Sequence, residues 1–479
     1  MAAFVAMFAG TMVSVSLPTI VADLGGSQDQ YSWVVAAALL TATAAMPLWG
    51  GLADQVSKKL LVQAAISIFV LASILAGFSQ DAPTLIAFRL LQGVGMGGLQ
   101  VLVQIVLASL VPHRARGRYL GHLSAVMAVA TVSGPVLGGL IADASSMGWR
   151  WCFWICAPLA VGALVVLQRT LDLPVTRVKA SIDWLGALLI PGGVAVLLLW
   201  MSMVDRSFGW LSFTSVMIVV GGVLLIGLAV LVEHRVSRPI LPPRLMRRRT
   251  MVLVVIGSVG AGGAMVGALV FLGPYFQIAH GRTPSQAGLL MSPMMLGLCL
   301  ASTVSGRRVS RSGGWKMILV AGTALMTGGL GLMATIGHTT PLLLVGAYMT
   351  LLGAGVGATM QTLLLAGQDG LDDREVGAGS ASVAFSQAIG GATGVLVIGA
   401  VTASRLAGLV DERLGAGAAD VRIDNGGAAA AAWSHSSARV RQVVAEAYGD
   451  AAAASFLVAA ALSLVALVAV IFLRQAQRG

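Results

Sequence analysis

Apolar runs of about 20 residues recur along the whole chain, separated by short polar stretches where lysine, arginine, proline and aspartate collect. A helix needs about 20 residues to cross the ~30 Å hydrocarbon core of a bilayer. The pattern predicts fourteen helical spans, centred near residues 12, 41, 68, 97, 130, 159, 192, 221, 264, 297, 327, 354, 391 and 462. A secretory signal would give one such run followed by a soluble body, which is a different pattern. The first run begins at Met1 itself, which raises the expectation of a longer natural N-terminus. The expected fold class is an all-α polytopic membrane protein.

Flanking charges set an orientation. With the N-terminus inside, inner loops and the C-terminus take 21 of the 30 basic residues, whereas the short outer loops take Arg150, Arg206 and Arg282. A long outer segment, about 404–450, takes five more, and long segments translocate largely regardless of charge. Both termini are therefore expected on the cytoplasmic side of the cell membrane. A 57% hydrophobic and 10% charged composition could not cover a soluble surface, since soluble domains carry roughly 25% charged residues. The net charge of +11 sits in short clusters between runs, which argues for a positive-inside membrane protein and against a nucleic-acid partner. Cys152, Cys156 and Cys299 lie within apolar runs, and no Cys/His pair has metal-ligand spacing, so no metal or other cofactor is expected.

One charge breaks the pattern. Arg89 lies inside the fourth run, and no carboxylate lies inside any run. A charge at membrane depth is costly and by default marks a pathway or relay. Alternatively, Arg89 sits only about 9 Å from the outer end of its span and could snorkel to the interface. Arg89 and Gln92 share one helical face, and Gln100 and Gln104 make a further pair one turn apart, so a polar face directed into a cavity is expected.

Three strings carry a family resemblance. Between spans 2 and 3 the chain reads Gly50-Gly51-Leu52-Ala53-Asp54-Gln55-Val56-Ser57-Lys58-Lys59; glycine lets helix ends approach, and the aspartate can cap a neighbouring helix. Span 4 carries Arg89-Leu90-Leu91-Gln92-Gly93, and span 5 ends Ser133-Gly134-Pro135-Val136-Leu137-Gly138-Gly139. These resemble, in order, the signature loop, the second motif and the exporter motif of the major facilitator superfamily. Trp149-Arg150-Trp151, Asp183-Trp184-Leu185-Gly186 and Tyr275-Phe276-Gln277 are similar to strings of its fourteen-span drug:proton antiporter branch.

The resemblance implies two six-helix bundles flanking an inserted helix pair: residues 1–170, then 171–250 with a basic inner loop, then 251–479. A worn echo of the signature loop at Gly306-Arg307-Arg308 to Gly314-Trp315-Lys316 agrees. It also implies a non-enzymatic multidrug exporter, working as a monomer, that moves amphipathic small molecules against protons by alternating access. Gly50, Asp54, Lys58 and Lys59 would act in the conformational change, and Gly134, Pro135, Gly138 and Gly139 in helix packing. Gln100, Gln104, Met294, Met295 and Gln361 are candidate cavity residues, Met for its adaptable side chain. Relatives carry an aspartate in span 1 where this chain has Ala9, so a proton would need another carrier: Asp23, Asp143 or His122, beside Arg89 and Gln92. The missing carboxylate leaves open a second reading, export of a lipid or lipophilic metabolite without proton coupling. A membrane-embedded sensor or enzyme is the remote third.

Overall fold

The computed structural model describes residues 2–24, 28–53, 56–111, 148–170, 184–203, 209, 212–235, 243–282, 284–372, 375–414 and 438–475, and 118–141 except 120, 124, 125, 128, 132, 135, 136, 139 and 140. Among them there is helix and turn and no strand. The helices are α1 (Ala2–Asp23), α2 (Gln28–Ala53), α3 (Lys58–Gly77), α4 (Ala82–Leu110), a partly described helix over 118–141, and α5 (Trp151–Thr170). Then come α6 (Trp184–Met203), α7 (Phe213–Arg235), α8 (Arg249–Pro274), α9 (Ser292–Ser312), α10 (Lys316–Met333), α11 (Leu342–Gln368), α12 (Val376–Leu414) and α13 (Ala438–Ile471). Ten of the described helices are long and apolar enough to cross a membrane.

Local chemistry sets the ends. Asp81 caps α4, its Oδ1 accepting from the Thr84 amide at 2.7 Å, and a proline sits in the first turn. Gly313 ends α9 at φ +67°, a left-handed conformation that glycine adopts without a β-carbon penalty. Helices α12 and α13 have 39 and 34 residues. At 1.5 Å per residue both exceed a bilayer's ~30 Å, so they run on into the segment expected to be a long outer loop.

Lipid tails are as apolar as leucine, so helices in a bilayer associate through close backbone approach more than through hydrophobic burial. Helix α4 shows how this is done. Gly93 and Gly97 press on the α2 backbone at Ala38 and Ala42, while a β-carbon at Gly95 would lie 2.8 Å from the Phe69 amide nitrogen of α3. The same arrangement recurs 260 residues later. In α11, Gly353 and Gly357 press on α9 at Met294 and Leu298, and Gly355 on α10 at Met326. Gly93-Val94-Gly95-Met96-Gly97 and Gly353-Ala354-Gly355-Val356-Gly357 are thus one element used twice. The triplets α2–α3–α4 and α9–α10–α11 are pseudo-equivalent cores of two bundles.

Between the bundles in sequence, α6 packs on α2 and touches α12, and α7 packs on α6. Helix α7 leaves Phe213, Val223, Leu224 and Leu231 more than half exposed, a face suited to lipid. The glycine contacts give a paired expectation for thermal unfolding in detergent. Gly95→Ala should destabilise by about 1–3 kcal/mol through overpacking. Gly328→Ala, which meets nothing within 4 Å, should be neutral or slightly stabilising. Equal effects at the two sites would remove the close-approach account.

Candidate functional site

Arg89 does not snorkel. It is 3% exposed and bonded entirely within the first bundle. Its Nε donates to the Val34 carbonyl of α2 at 3.1 Å, and its Nη1 donates to Gln92 Oε1 at 2.6 Å. Gln92 Nε2 donates to Ser73 Oγ of α3 at 2.7 Å, and Ser73 donates on to the Phe69 carbonyl at 2.8 Å. No ion pair joins Arg89 to a carboxylate among the described residues. The shared face of Arg89 and Gln92 therefore turns inward, toward α2 and α3.

The second bundle supplies a control for this network. Carrying the glycine correspondence across, Arg89, Gln92 and Ser73 map onto Met349, Leu352 and Leu330, each fully buried. The same packing position is thus filled once by a charged chain of hydrogen bonds and once by three apolar side chains. Desolvating an ion costs several kcal/mol even after relaxation, and hydrophobic replacements of buried ionic groups are often neutral or stabilising. Packing alone does not require the charge here.

The two bundles meet along α2 and α12, where Leu40 packs with Phe385 and Ile389, and glycine contacts join them near the end that carries Lys58, Lys59, Arg118, Arg248 and Arg311. Gly50 at the end of α2 lies against Ala381 and the Gly377 carbonyl at the start of α12. A β-carbon at Gly121 would come within 2.6 Å of the Ser302 carbonyl of α9, and Ser302 Oγ donates to the Gly121 carbonyl at 3.5 Å. The Arg118 amide donates to Ser310 Oγ at 2.9 Å, so a side chain after the Gly306 echo caps a helix of the other bundle. Lys59 Nζ donates to the Gln168 carbonyl at 3.1 Å. Within the second bundle, Arg248 pairs with Glu375 at 3.4 Å, and Trp315 Nε1 donates to Asp369 Oδ2 at 3.0 Å.

At the opposite end each bundle is tied at a corner. In the first, Asp23 Oδ2 accepts from Trp149 Nε1 at 2.8 Å and from Arg150 Nη1 at 3.2 Å. Arg150 lies 4.5 Å over the Trp149 ring and also donates to the Ser79 carbonyl. The Trp149 hydrogen bond, followed by Arg150, holds the Asp23 carboxyl below its ordinary range. In the second bundle, Tyr275 Oη donates to the Gly337 carbonyl at 3.0 Å and lies 3.1 Å from His280 Nε2. Residues five apart meet here because the chain turns once as a π-helix over Tyr275–Ala279. Sequence periodicity carried no sign of this pair, because an α-helix would set them on different faces.

Other expected residues are dispersed. His122 is exposed on the 118–141 helix, its ring 6.5 Å from Tyr119. Gly134 and Gly138 press on α1 at Thr11 and Met12, a β-carbon at Gly138 lying 2.7 Å from the Met12 carbonyl. Met294 and Met295 belong to the second bundle's core, Met294 wedged against Gly353. Gln100 is half-buried, whereas Gln104 and Gln361 each bury a carbonyl oxygen without a partner among the described residues. Ala9 is buried among Phe8, Met12 and Met96. Asp54, Pro135, Gly139 and Asp143 lie outside the described residues.

Two pseudo-equivalent helical bundles define a polytopic helical membrane protein. Residues 1–395 match the model of the Major Facilitator Superfamily, and the chain belongs to that family. It is 37% identical over 405 residues to an uncharacterised transporter of this type from Mycobacterium tuberculosis, covering 85% of this chain but only 58% of that relative. It is 32% identical over 415 residues to the multidrug transporter protein MdtP of Bacillus subtilis, covering 86% of this chain and 76% of the relative. With the efflux pump dotC of Dothistroma septosporum it shares 32% over 404 residues, 83% of this chain and 69% of that one. The proton:xylose symporter XylE has the same fold, with a TM-score of 0.66 at 13% identity over 99% of this chain and 94% of that one.

The two versions of the Arg89 position yield an expectation. Arg89→Met alone strands Gln92 Oε1 and should cost about 1–3 kcal/mol in thermal unfolding, the range for a buried group left without its partner. Adding Gln92→Leu and Ser73→Leu should recover most of that loss. A triple variant as unstable as the single one would make the network a requirement of packing.

Proposed function

We propose that this protein exports amphipathic small molecules across the cytoplasmic membrane by alternating access, driven by proton influx, with both termini inside. The observation that carries the reading is the meeting of the two bundles near the basic end, through Gly50 with Gly377 and Ala381 and through Gly121 with Ser302. Basic loops favour the cytoplasmic side, so in this reading these contacts close the inner end. Contacts made by backbone and small side chains can part and re-form without stripping large side chains from a core, which suits rocking of one bundle against the other. The multidrug transporter of Bacillus and the efflux pump of Dothistroma among its relatives support efflux as the direction.

The full architecture in this reading has fourteen spans: six in each bundle, with α6 and α7 inserted between them. Gly50, Asp54, Lys58 and Lys59 belong to the inner conformational motif of the first bundle, and the string from Gly306 to Lys316 is its counterpart in the second. Gly134 and Gly138 seat the fifth span on α1, and Pro135 and Gly139 complete the exporter-like string by resemblance. Cargo would contact Gln100, the adaptable Met295, and Gln104 and Gln361, whose oxygens have no partner among the described residues and favour hydrogen-bonding cargo or water. Asp23, Asp143 and His122 remain candidate proton carriers beside Arg89 and Gln92. Arg89 is the one charged side chain below a tenth exposed among the described residues, which favours neutral or anionic over cationic cargo.

Two measurements test this reading. Reconstituted protein should move ethidium, a cation, or a bis-oxonol, a lipophilic anion, only under a proton gradient, with the anion preferred; gradient-independent movement would sink coupling. A Gly121→Cys, Ser302→Cys pair, placed in a background with Cys152, Cys156 and Cys299 changed to alanine, should abolish transport on oxidation and regain it on reduction. Undiminished transport while cross-linked would rule out this contact as a moving gate.

A further inference from the structure

The corner of the second bundle away from the basic loops holds titratable chemistry outside the Arg89 network. Pro274 ends α8, and the π-helical turn brings His280 against two rings, Tyr275 at 5.1 Å and Phe276 at 6.4 Å. The Arg282 amide closes the loop on the Phe276 carbonyl at 3.1 Å, with Gly281 at φ +62°. Tyr275 has one phenolic proton, and Gly337 receives it, so His280 Nε2 is the donor at the Tyr275 oxygen. Nδ1 is then left with the lone pair that can take up a proton.

The surroundings set the price of that uptake. Arg282 lies in the same loop, and His338 follows Gly337 in the α10–α11 turn. From α13 come Tyr448, Glu446 and Asp450, and from α12 comes Arg413. Arg413 holds Asp450 at 2.6 Å and Glu446 at 4.0 Å, so both carboxylates are already paired. Burial, then Arg282 and His338, push the His280 proton affinity below that of an ordinary imidazole. The corner joins the end of α8, the α10–α11 turn and, through His338 against Gly449, α13. Its counterpart in the first bundle is the Asp23–Trp149–Arg150 corner, where Arg150 reaches the carbonyl of Ser79 in the α3–α4 turn. That tie rests on an ion pair with a depressed carboxylate and stays charged at neutral pH. The two corners hold equivalent turns with different chemistry, and the histidine is the one that gains charge as the pH falls.

We infer that His280 is a proton-binding site on the outer face of the transporter, and that its protonation acts on the Tyr275–Gly337 tie between α8 and the α10–α11 turn. The inference rests on the coupled-export reading and its orientation. An acidic exterior adds a proton at Nδ1 and places a second positive charge beside Arg282, which strains the corner. A neutral exterior removes it.

Two experiments on the full chain separate this inference from the reading beneath it. In liposomes, cargo-driven proton flux with ethidium or the bis-oxonol should fall about fivefold or more in His280→Gln, the low end of typical coupling between sites. Tyr275→Phe should weaken it, and His234→Gln, at the exposed end of α7, should leave it unchanged. Undiminished flux in His280→Gln overturns the assignment.

The second experiment needs no transport. A histidine whose folded pKa lies below its unfolded value of about 6.5 contributes stability at neutral pH that is lost as pH falls below that value. Wild-type thermal stability in detergent should therefore drop more than that of His280→Gln between pH 7.5 and pH 5. Parallel profiles overturn the proton site. If the wild type moves no protons with either dye, coupled export fails, and this pH profile alone decides whether His280 binds a proton.

Discussion

The structure depends on one constraint: helices that gain little from burying apolar surface must still hold together. In a bilayer the alternative to a helix–helix contact is a helix–lipid contact of similar polarity, so specificity comes from how closely backbones approach. The Gly93, Gly95 and Gly97 stripe answers that constraint by bringing α4 onto α2 and α3 at once, and the stripe in α11 does the same for α9 and α10. Both bundles take their shape from these central helices. What lies between the bundles then uses the same device in a looser form, with Gly50 and Gly121 meeting single partners near one end. Backbone-close glycine contacts inside each bundle, with a seam between them formed mainly by α2 and α4 against α12, suit two bodies that move as units.

The second theme is economy of charge. Arg89 is held by a carbonyl, a glutamine and, beyond it, a serine, with no carboxylate counter-charge among the described residues. The apolar trio at the equivalent place shows that the fold has a solution without it. A sequence that keeps the more costly solution in one half and the cheaper one in the other is asymmetric where its architecture is symmetric. The two corners at the opposite end repeat that asymmetry, an aspartate–arginine pair in one bundle and a tyrosine–histidine pair in the other.

Much of the fold was legible beforehand. Helical class followed from 20-residue apolar runs, whereas the long outer loop expected over about 404–450 is helical at both of its ends. The inward turn of Arg89 was not legible, because the same spacing serves a cavity face or a buried face. The glycine repeat was present in the letters of α4 and α11, yet its weight came only from contacts with Phe69 and Met326 at matching places. The meeting of Tyr275 and His280 had no signal at all, since it depends on a π-helical turn that α-helical periodicity does not foresee.

The amino-acid sequence by itself determined that this chain forms apolar helices with basic connections and carries a single arginine at membrane depth. These are local properties, fixed by the cost of exposing backbone and charge to hydrocarbon. Only the tertiary structure decided which face of α4 carries Arg89, which helices the glycines join, and where the bundles touch. Those outcomes depend on residues hundreds of positions apart, and hydropathy, which sums neighbours along the chain, holds no record of them.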